Sequence, residues 1–544
     1  MKTIIFGVIL LISAGAWASP LTVASPDGKL KVVTDVAGGR PVYSVIYDGN
    51  TILENSPLGL LTDVGDLSKG MSLVGSETSK VSKSYDQDKI KKSHIDYEAN
   101  RLVTTLRNDK GNEVSVEWLV SDNDVAFRYV IPRQNNGETG AMVVRSEATG
   151  YRFPGETKVF LTSHSEPMIG WKRTKPSYEE YYITDAAMDT PSQFGRGFTF
   201  PGLFRVGDKG WALLSETGVD GYYCASHLSD YNDGVFSIAY PMPEENNGNG
   251  SAAPGIALPA STPWRTITVA DNLAPIVETT IPWNVVEPRY KTSRPGRPGR
   301  GTWSWIVWQD NSMNMDDQKI FIDLAVDLGY ENILIDAGWD KNIGYERMPE
   351  LLGYAKDRGI RPILWYSSSG HWNDIVQSPT NKMDRPIVRK KEMKWLRDNG
   401  VECIKVDFFG GDKQETMRLY EDILSDAADH GIDVIFHGCT LPRGWERMYP
   451  NHVGSEAVFA SENLIFEQIH CDLEAFHATL HPFIRNAVAL MEYGGSVFNR
   501  HMNRDNKSGN TRMTGDGFQL ATSILFQNPV QNFALTPNNL TEAP

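Results

Sequence analysis

From residue 302 to the C-terminus, short apolar runs alternate with segments of helical periodicity, and this alternation constrains the fold more than any other feature. In the first unit, residues 303–308 have the composition of a strand. Apolar residues at helical spacing follow over 320–328, and Gly329 is placed to end that helix. Because successive strands joined by helices run parallel, this part of the chain is expected to form a parallel sheet covered by helices.

Eight apolar runs of strand length can be assigned in this region, which is the number that closes a barrel. They cover residues 303–308, 332–335, 361–365, 403–406, 433–436, 454–457, 496–498 and 532–535. We therefore predict a (β/α)8 TIM barrel over residues 302–544. In such barrels the active site forms at the C-terminal ends of the strands, so polar residues just after each run are the informative ones.

The first half of the chain has a different pattern. Short β-branched and aromatic runs, such as 29–33 and 114–120, are separated by turn clusters such as 245–250. This pattern predicts an N-terminal β-sandwich over residues 19–287. A basic, Pro/Gly-rich segment follows, and we interpret residues 288–301 as a linker between the two domains.

The first 18 residues have the pattern of an export signal. Lys2 precedes an apolar run at 4–17, and Ala16 and Ala18 provide the small residues of a signal-peptidase site. We predict cleavage after Ala18 and a protein exported to the periplasm or the medium. Later stretches lack the roughly eighteen uninterrupted apolar residues of a membrane helix, so stable membrane insertion is not expected.

Charge and cysteine content exclude several classes of function. The net charge of −15 argues against a nucleic-acid partner, because phosphate binding needs clustered Lys and Arg. The four cysteines lack the close spacing of a zinc or redox motif. Cys403 lies in an apolar run and is interpreted as an inert core thiol.

A lysine and an aspartate two positions apart lie at the fourth predicted strand. Lys405 and Asp407 point the same way, because side chains alternate along a strand. A carboxylate beside an ammonium group stays ionised, which suits a nucleophile. The alternative is a buried ion pair that only orients the sheet.

Polar residues also follow other predicted strands. Asp336 and Trp339 follow the second, His437 follows the fifth, and Glu456 and Glu462 end or follow the sixth. Two carboxyl groups flanking a scissile bond are the minimum machinery for cleaving a glycoside. These positions therefore favour a sugar-cleaving site over a purely structural role.

Two further features are consistent with a sugar-binding site. Residues 437–451 are rich in Gly, Pro and aromatics, which is typical of a loop that forms the wall of a site. Aromatic residues near strand ends could stack on a sugar or belong to the core: Trp305, Trp308, Trp339, Trp365 and Trp372.

These motifs resemble glycoside hydrolase family 97, and the resemblance covers nearly the whole mature chain. The matching segments are 178–182, 405–412, 437–451 and 456–458. The resemblance implies a β-sandwich packed on the barrel, a Ca2+ ion in the active site and exo-acting hydrolysis of α-linked sugars. Family members continue into a C-terminal β-domain, which implies that this domain is missing here and that the barrel is truncated at its C-terminal end.

Two residues distinguish between the mechanistic branches of that family. The inverting α-glucosidase branch lacks a carboxylate at the position of Asp407 and has a glutamate base after the histidine of the fifth strand. Asp407 and Gly438 therefore resemble the retaining branch, typified by α-galactosidases. That resemblance implies that Asp407 is the nucleophile and Glu462 the acid/base.

The resemblance also assigns metal and substrate positions. The calcium ligands correspond to Glu179, Glu456 and Glu462, with Glu180 as a substitute for Glu179. The residues expected to touch the sugar are Asp336, Trp339, Lys405 and His437. The expected function is thus a retaining, calcium-dependent exo-α-galactosidase acting on an oligosaccharide or glycoside. An α-glucosidase on the same scaffold and a non-catalytic glycan-binding protein remain alternatives, and a monomer and a dimer are equally open.

Overall fold

The computed structural model describes residues 20–167, 177–292, 296–370 and 373–542. The predicted export signal and Trp372 lie outside these ranges. Within them, no helix combines the length and apolar character that crossing a bilayer would require. The cysteines in this part of the chain are all free thiols: Cys224, Cys439 and Cys471 are buried, and Cys403 is half-buried.

The N-terminal domain consists of three antiparallel β-sheets, of four, three and thirteen strands. Its strands are β1 (Leu21–Ala24), β2 (Leu30–Ala37), β3 (Arg40–Tyr47), β4 (Asn50–Pro57), β5 (Leu60–Thr62), β6 (Met71–Asp86), β7 (His94–Asn108), β8 (Glu113–Val120), β9 (Asp124–Ile131), β10 (Ala141–Glu147), β11 (Gly150–Tyr151), β12 (Thr157–Ser163), β13 (Tyr182–Ala187), β14 (Phe198–Val206), β15 (Trp211–Thr217), β16 (His227–Leu228), β17 (Phe236–Ala239), β18 (Gly255–Ala257), β19 (Ala260–Ser261) and β20 (Trp264–Ala270).

The four-stranded sheet packs on the large sheet through β6, β7 and β8. Burial alternates along β3, because every second side chain faces the core. Tyr43 on β3 contacts Trp118 on β8, with ring centroids 5.2 Å apart, and Trp118 in turn contacts Phe127 at 4.6 Å. These aromatic contacts fill the space between the two layers.

The second domain is built around a parallel sheet whose order is β26-β25-β24-β23-β22-β21-β27. These strands are β21 (Gly299–Trp303), β22 (Asn332–Ile335), β23 (Arg361–Ser367), β24 (Cys403–Asp407), β25 (Asp433–Phe436), β26 (His452–Ser455) and β27 (Val530–Phe533). The first strand thus begins inside the predicted linker. Alternate residues point into the barrel, where Leu334, Ile363, Ile435 and Val453 form one buried cluster.

Helices cover the outside of this sheet and connect the strands. They are α3 (Trp305–Trp308), α4 (Met315–Asp327), α5 (Trp339–Asn342), α6 (Met348–Asp357), α7 (Pro386–Asp398), α8 (Gln414–Asp429), α9 (Trp445–Met448), α10 (Gln468–Ala478), α11 (Arg485–Val488), α12 (Asp516–Leu525) and α13 (Asn539–Glu542). Two short helices that precede the barrel, α1 (Ala274–Glu278) and α2 (Ile281–Asn284), pack on β15 and β20 of the N-terminal domain. The predicted helix after the first strand corresponds to α4, whose N-terminus is capped by Asn314 accepting from two backbone N–H groups.

Two of the eight predicted strands are wrong. In the first, the strand ends at Trp303 and residues 305–308 form helix α3, because a short apolar run does not by itself distinguish a strand from a helical turn. Residues 496–498 form no strand either. Gly494 and Ser496 lie in the left-handed region, at φ of 63° and 62°, which is incompatible with a regular ladder.

The segment around these two residues still closes the barrel. Glu492 N donates to Ser455 O of β26 at 2.8 Å, and Ala534 N, just after β27, donates to Gly495 O at 3.5 Å. The segment therefore lies between the two end strands of the sheet and contacts both. The predicted barrel is confirmed, with an irregular segment where an eighth strand was expected.

Candidate active site

The C-terminal ends of adjacent barrel strands bring the predicted polar residues together. Asp336 follows β22, Lys405 and Asp407 lie on β24, His437 follows β25 and Glu456 follows β26. All five side chains are buried. Asp336 is two residues beyond Leu334 and His437 two beyond Ile435, so they continue the inward-facing rows of the barrel.

Three of these residues are followed directly by a residue in the left-handed region. Phe408 has φ of 69°, and Gly438 and Ala457 each have φ of 45°. For Phe408 and Ala457 this conformation costs on the order of 1–3 kcal/mol each and persists only where the surroundings hold it. The chain therefore turns sharply after Asp407, His437 and Glu456, which leaves these side chains at the rim of the barrel.

Lys405 is the cationic centre of the site. Its Nζ lies 3.3 Å from Asp336 Oδ2 and 3.8 Å from Asp407 Oδ2, and 4.1 Å from the centre of the Trp303 ring. Burial lowers the pKa of Lys405, but Asp336 and Asp407 raise it further, so the pKa ends above its usual value. Lys405 is therefore protonated at neutral pH.

Asp407 is held by three kinds of donor. Its Oδ1 accepts from Phe408 N at 2.7 Å, and its Oδ2 accepts from Trp365 Nε1 at 3.1 Å and faces the Lys405 ammonium. Hydrogen bonds to a carboxylate and an ammonium group beside it fix its orientation. A fixed carboxylate is what a nucleophile at this position requires.

Gly438 leaves room for Asp407. A Cβ atom at position 438 would lie 2.7 Å from Asp407 Oδ1 and 2.8 Å from Phe408 N, distances that real Cβ atoms essentially never show. A side chain at 438 would therefore displace the Asp407 carboxylate or the turn after it. Asp407 and Gly438, which distinguish the two branches of the family, are therefore in direct steric contact, and the carboxylate requires a glycine beside it.

A cluster of acidic residues lies beside His437. The Nδ1 atom of His437 is 3.4 Å from Glu456 Oε2 and 3.8 Å from Glu462 Oε2. Potential metal-ligand atoms of these three residues all lie within 4.8 Å of one another. Burial raises the pKa of Glu456, and the charges of Glu462 and Glu179 raise it more. Burial also raises the pKa of Glu462, although Lys405 and His437 oppose this shift.

This cluster fits a divalent cation. Glu456 Oε1 and His437 Nδ1 are buried and have no hydrogen-bond partner within the part of the chain that the structure describes. Calcium prefers carboxylate oxygens, which Glu456 and Glu462 provide. The charge of Glu179 acts on Glu456, yet the group within 4.8 Å contains His437 and not Glu179. The Glu179 position therefore stays a prediction.

Glu492 is a site residue that the sequence analysis did not identify. Its carboxylate accepts from Asn532 Nδ2 at 2.7 Å and contacts His437 Nε2 through a short hydrogen bond. Burial and Lys405 lower the pKa of His437, but Glu492 and Glu462 raise it above its usual value. A lone charge in the apolar run 488–493 was the available signal.

Trp339 lies away from the predicted sugar-binding position. Its side chain is completely buried, its Nε1 donates to Trp365 O at 2.9 Å, and its ring lies parallel to that of Trp395 at 6.0 Å. No surface of the indole is available to a sugar in this structure. Trp339 instead packs behind β23, whose Trp365 contacts Asp407.

Comparisons with known proteins agree on the family. Residues 23–288 match the glycosyl-hydrolase 97 N-terminal domain and residues 298–458 match the glycoside hydrolase 97 domain. The crystal structure of a β-arabinopyranosidase is 59% identical with a TM-score of 0.95, over 96% of this chain and 83% of that one. A probable retaining α-galactosidase of Streptomyces bingchenggensis (strain BCW-1) is 27% identical over 566 residues, which is 99% of this chain and 79% of the relative.

A more distant solved structure shows the same fold. It is a family 97 enzyme from Pseudoalteromonas sp. strain K8 in complex with panose, 20% identical with a TM-score of 0.79, over 96% of this chain and 82% of that one. The two matched domains together cover both halves of the molecule, and they include the strand ends that carry Asp407, His437 and Glu456. The chain therefore belongs to glycoside hydrolase family 97 and is a glycoside hydrolase.

Proposed function

We propose that this enzyme is an exo-acting, retaining glycosidase for terminal α-D-galactopyranosides and β-L-arabinopyranosides. The observation that carries the proposal is the steric pairing of Gly438 with Asp407, which supports a nucleophilic role for this fixed carboxylate. The two sugars share their configuration from C1 to C4 and differ in the hydroxymethyl group of galactose. The two activities named for the relatives therefore require the same arrangement around the anomeric carbon.

The reaction proceeds by double displacement. Asp407 attacks the anomeric carbon while Glu462 gives its proton to the glycosidic oxygen, so the bond to the leaving group breaks as the bond to Asp407 forms. Glu462 then takes a proton from water, which displaces Asp407 and releases the sugar with its original anomeric configuration. In the absence of a cation, burial raises the pKa of Glu462, which supports its starting role as the acid.

The remaining residues of the site would orient the sugar. Asp336, Lys405 and His437 present hydrogen-bonding groups around Asp407 and Glu462. Glu179, Glu456 and Glu462 would hold calcium. When bound, that ion supplies positive charge to the acidic cluster and fixes the orientation of its carboxylates.

The nucleophile is tested by an Asp407→Ala variant. We expect turnover of an aryl α-galactoside or aryl β-L-arabinopyranoside to fall by on the order of 10⁴ or more, because the covalent route is lost. Azide should partly restore cleavage by occupying the space of the missing carboxylate, and it should give the glycosyl azide of inverted configuration. Full activity of the variant would refute the assignment.

Sugar preference and stereochemistry are tested together by following hydrolysis with NMR. Wild-type enzyme is offered aryl α-galactoside, aryl β-L-arabinopyranoside and aryl α-glucoside in separate runs. We expect the first two to be cleaved and the first-formed product to keep the configuration of the substrate. A preference for the glucoside, or an inverted first product, would contradict the proposal.

A further inference from the structure

Three aromatic rings form a continuous row from the buried site to the surface. Trp303 lies at the inner end, where its Nε1 donates to Asp336 Oδ2 at 2.6 Å. Trp305 stacks on Trp303 with ring centroids 6.2 Å apart and an angle of 21°. Phe466 packs edge-on against Trp305 at 6.3 Å. The row passes from a buried ring to a half-buried one and ends at Phe466, which is 56% exposed.

The orientation of Trp305 is fixed by the fold. Its Nε1 donates to Asp310 Oδ1 at 2.8 Å, and its backbone begins helix α3 directly after β21. A single exposed apolar side chain is common on protein surfaces and needs no explanation. Phe466 differs because it continues a row of rings that starts inside the active site. Apolar surface joined to a polar site is typical of a ligand-binding pocket.

The position of the row relative to Glu462 identifies what it would contact. Glu462 lies in the short 3₁₀ helix Ser461–Ile465, and Phe466 follows that helix directly. In a retaining glycosidase the acid/base protonates the glycosidic oxygen, so the leaving group lies on its side of the substrate. A leaving group that departs past Glu462 toward solvent therefore meets Phe466 and Trp305.

We propose that Trp305 and Phe466 form a binding subsite for the leaving group, and that its natural occupant is the next sugar of an oligosaccharide. This proposal rests on the proposed function, because it takes Glu462 as the acid/base. The C–H face of a pyranose ring is apolar and matches an aromatic surface, whereas its hydroxyl groups remain in water. The subsite would add affinity for oligosaccharides over small glycosides without contacting the terminal sugar.

The test compares leaving groups of different size on a Phe466→Ala variant. A glycosyl fluoride has a one-atom leaving group that cannot reach the row of rings, whereas a disaccharide places a full sugar there. We expect kcat/KM for the disaccharide to fall about 3- to 10-fold, mainly through KM, and kcat/KM for the fluoride to stay unchanged. Phe476→Ala is the matched control, since Phe476 is 53% exposed on α10 but contacts His477 and not Trp305.

Two outcomes would overturn the subsite. Equal losses on fluoride and disaccharide would mean that Phe466 positions Glu462, and no loss on either would mean that the ring does not touch substrate. The subsite is measured separately from turnover in an Asp407→Asn background, by titrating disaccharide and free monosaccharide calorimetrically. Phe466→Ala should weaken only the disaccharide. A wild-type enzyme inactive on every glycosyl fluoride would refute the proposed function, and the titration would still decide the subsite.

Discussion

Two clusters of buried charged residues lie close together in this enzyme, and they differ in the balance of acidic and basic groups. The first joins the two domains and consists of Glu147, Glu216, Arg265 and Arg443. The second is the candidate active site, in which the carboxylates of Asp336, Asp407, Glu456, Glu462 and Glu492 lie around Lys405 and His437. The first has two negative and two positive residues, and the second has five acidic residues against two basic ones.

The domain-interface cluster satisfies its own charges. Arg265 donates to Glu147 Oε2 at 2.6 Å and makes a short hydrogen bond to Glu216. Arg443 donates to Glu216 Oε1 at 2.5 Å, and Ser226 N and Oγ donate to the same carboxylate. Buried ion pairs repay their desolvation only when the hydrogen-bonding geometry is this complete.

The active-site cluster leaves groups unsatisfied instead. Glu456 Oε1 and His437 Nδ1 are the buried atoms of this cluster that lack a hydrogen-bond partner in the described chain. The fold thus assembles more negative charge than it neutralises, at a position where a cation and a substrate would complete it. Buried acidic groups in excess of the buried cations are typical of a functional site, whereas buried charges that pair completely are typical of a structural role.

The largest expected effect on stability comes from removing one charge from the domain-interface cluster. Glu216→Gln removes the charge that two buried arginines share, so the free energy of unfolding should fall by about 3–5 kcal/mol. Denaturant unfolding measures this, and Glu350→Gln is the control, because Glu350 pairs with Lys319 at the surface. The control should leave stability close to that of the wild type, because water screens this ion pair. Equal effects of the two substitutions would contradict the distinction.

A glutamate-to-glutamine substitution in the active-site cluster, in contrast, should not lower the stability of the protein. Without calcium, Glu456→Gln removes a carboxylate that Glu462 and Glu179 repel, so the melting temperature should stay level or rise. Wild-type protein should gain about 2.7 kcal/mol at a calcium concentration of 100 Kd, and the variant should lose that gain. Melting curves after chelation and after adding calcium test both points. A large destabilisation of the calcium-free variant would show that Glu456 is structural.

The sequence could locate the candidate active site because polar residues of a barrel's site are expected at the C-terminal ends of its strands. Asp336, Lys405, Asp407, His437 and Glu456 were all predicted from their positions at strand ends, and the structure brings them together there. This rule depends on recognising the strand. It therefore could not identify Glu492, which lies in an irregular segment that replaces the predicted seventh strand.

The rule also does not say which side of the barrel wall a residue faces. Trp339 follows β22 just as Asp336 does, but Gly338, at φ of 88°, turns the chain before it. The indole consequently packs outside the barrel against Trp395. The sequence could not predict the domain-interface cluster either, because Glu216 and Arg443 are 227 residues apart and share no local pattern.

A smaller effect is expected from Lys89, a buried cation at the same domain interface whose ammonium donates to backbone carbonyls. Lys89 donates to Pro450 O at 2.7 Å and to His452 O at 3.1 Å, and burial lowers its pKa to about 8. The unfolded chain, with a lysine pKa of 10.5, binds more protons between pH 8 and 10.5, so stability should rise with pH across that window. The gain from pH 8 to 10 should be roughly 2 kcal/mol relative to Lys89→Met.

The comparison of the two stability curves isolates Lys89 from other titrating groups. Denaturant unfolding of both proteins at pH 8, 9 and 10 gives the difference directly. Parallel curves would mean that Lys89 stays charged in the folded state and that carbonyl oxygens alone compensate its burial.

The smallest effect concerns Tyr178, which hydrogen-bonds to Arg443 of the domain-interface cluster and directly precedes Glu179. Its Oη donates to Asp412 Oδ2 at 2.7 Å and accepts from Arg443 Nη2 at 2.8 Å, and the next residue is Glu179. Tyr178→Phe should cost about 1 kcal/mol of stability for the lost hydrogen bonds. It should also weaken calcium binding several-fold by calorimetry, because the segment carrying Glu179 loses its anchor to the barrel. Tyr129→Phe removes a comparable buried hydroxyl, bonded to Thr149 at 2.6 Å inside the sandwich, and should leave calcium affinity unchanged. Equal calcium affinity of the two variants would mean that the clusters are neighbours without being coupled.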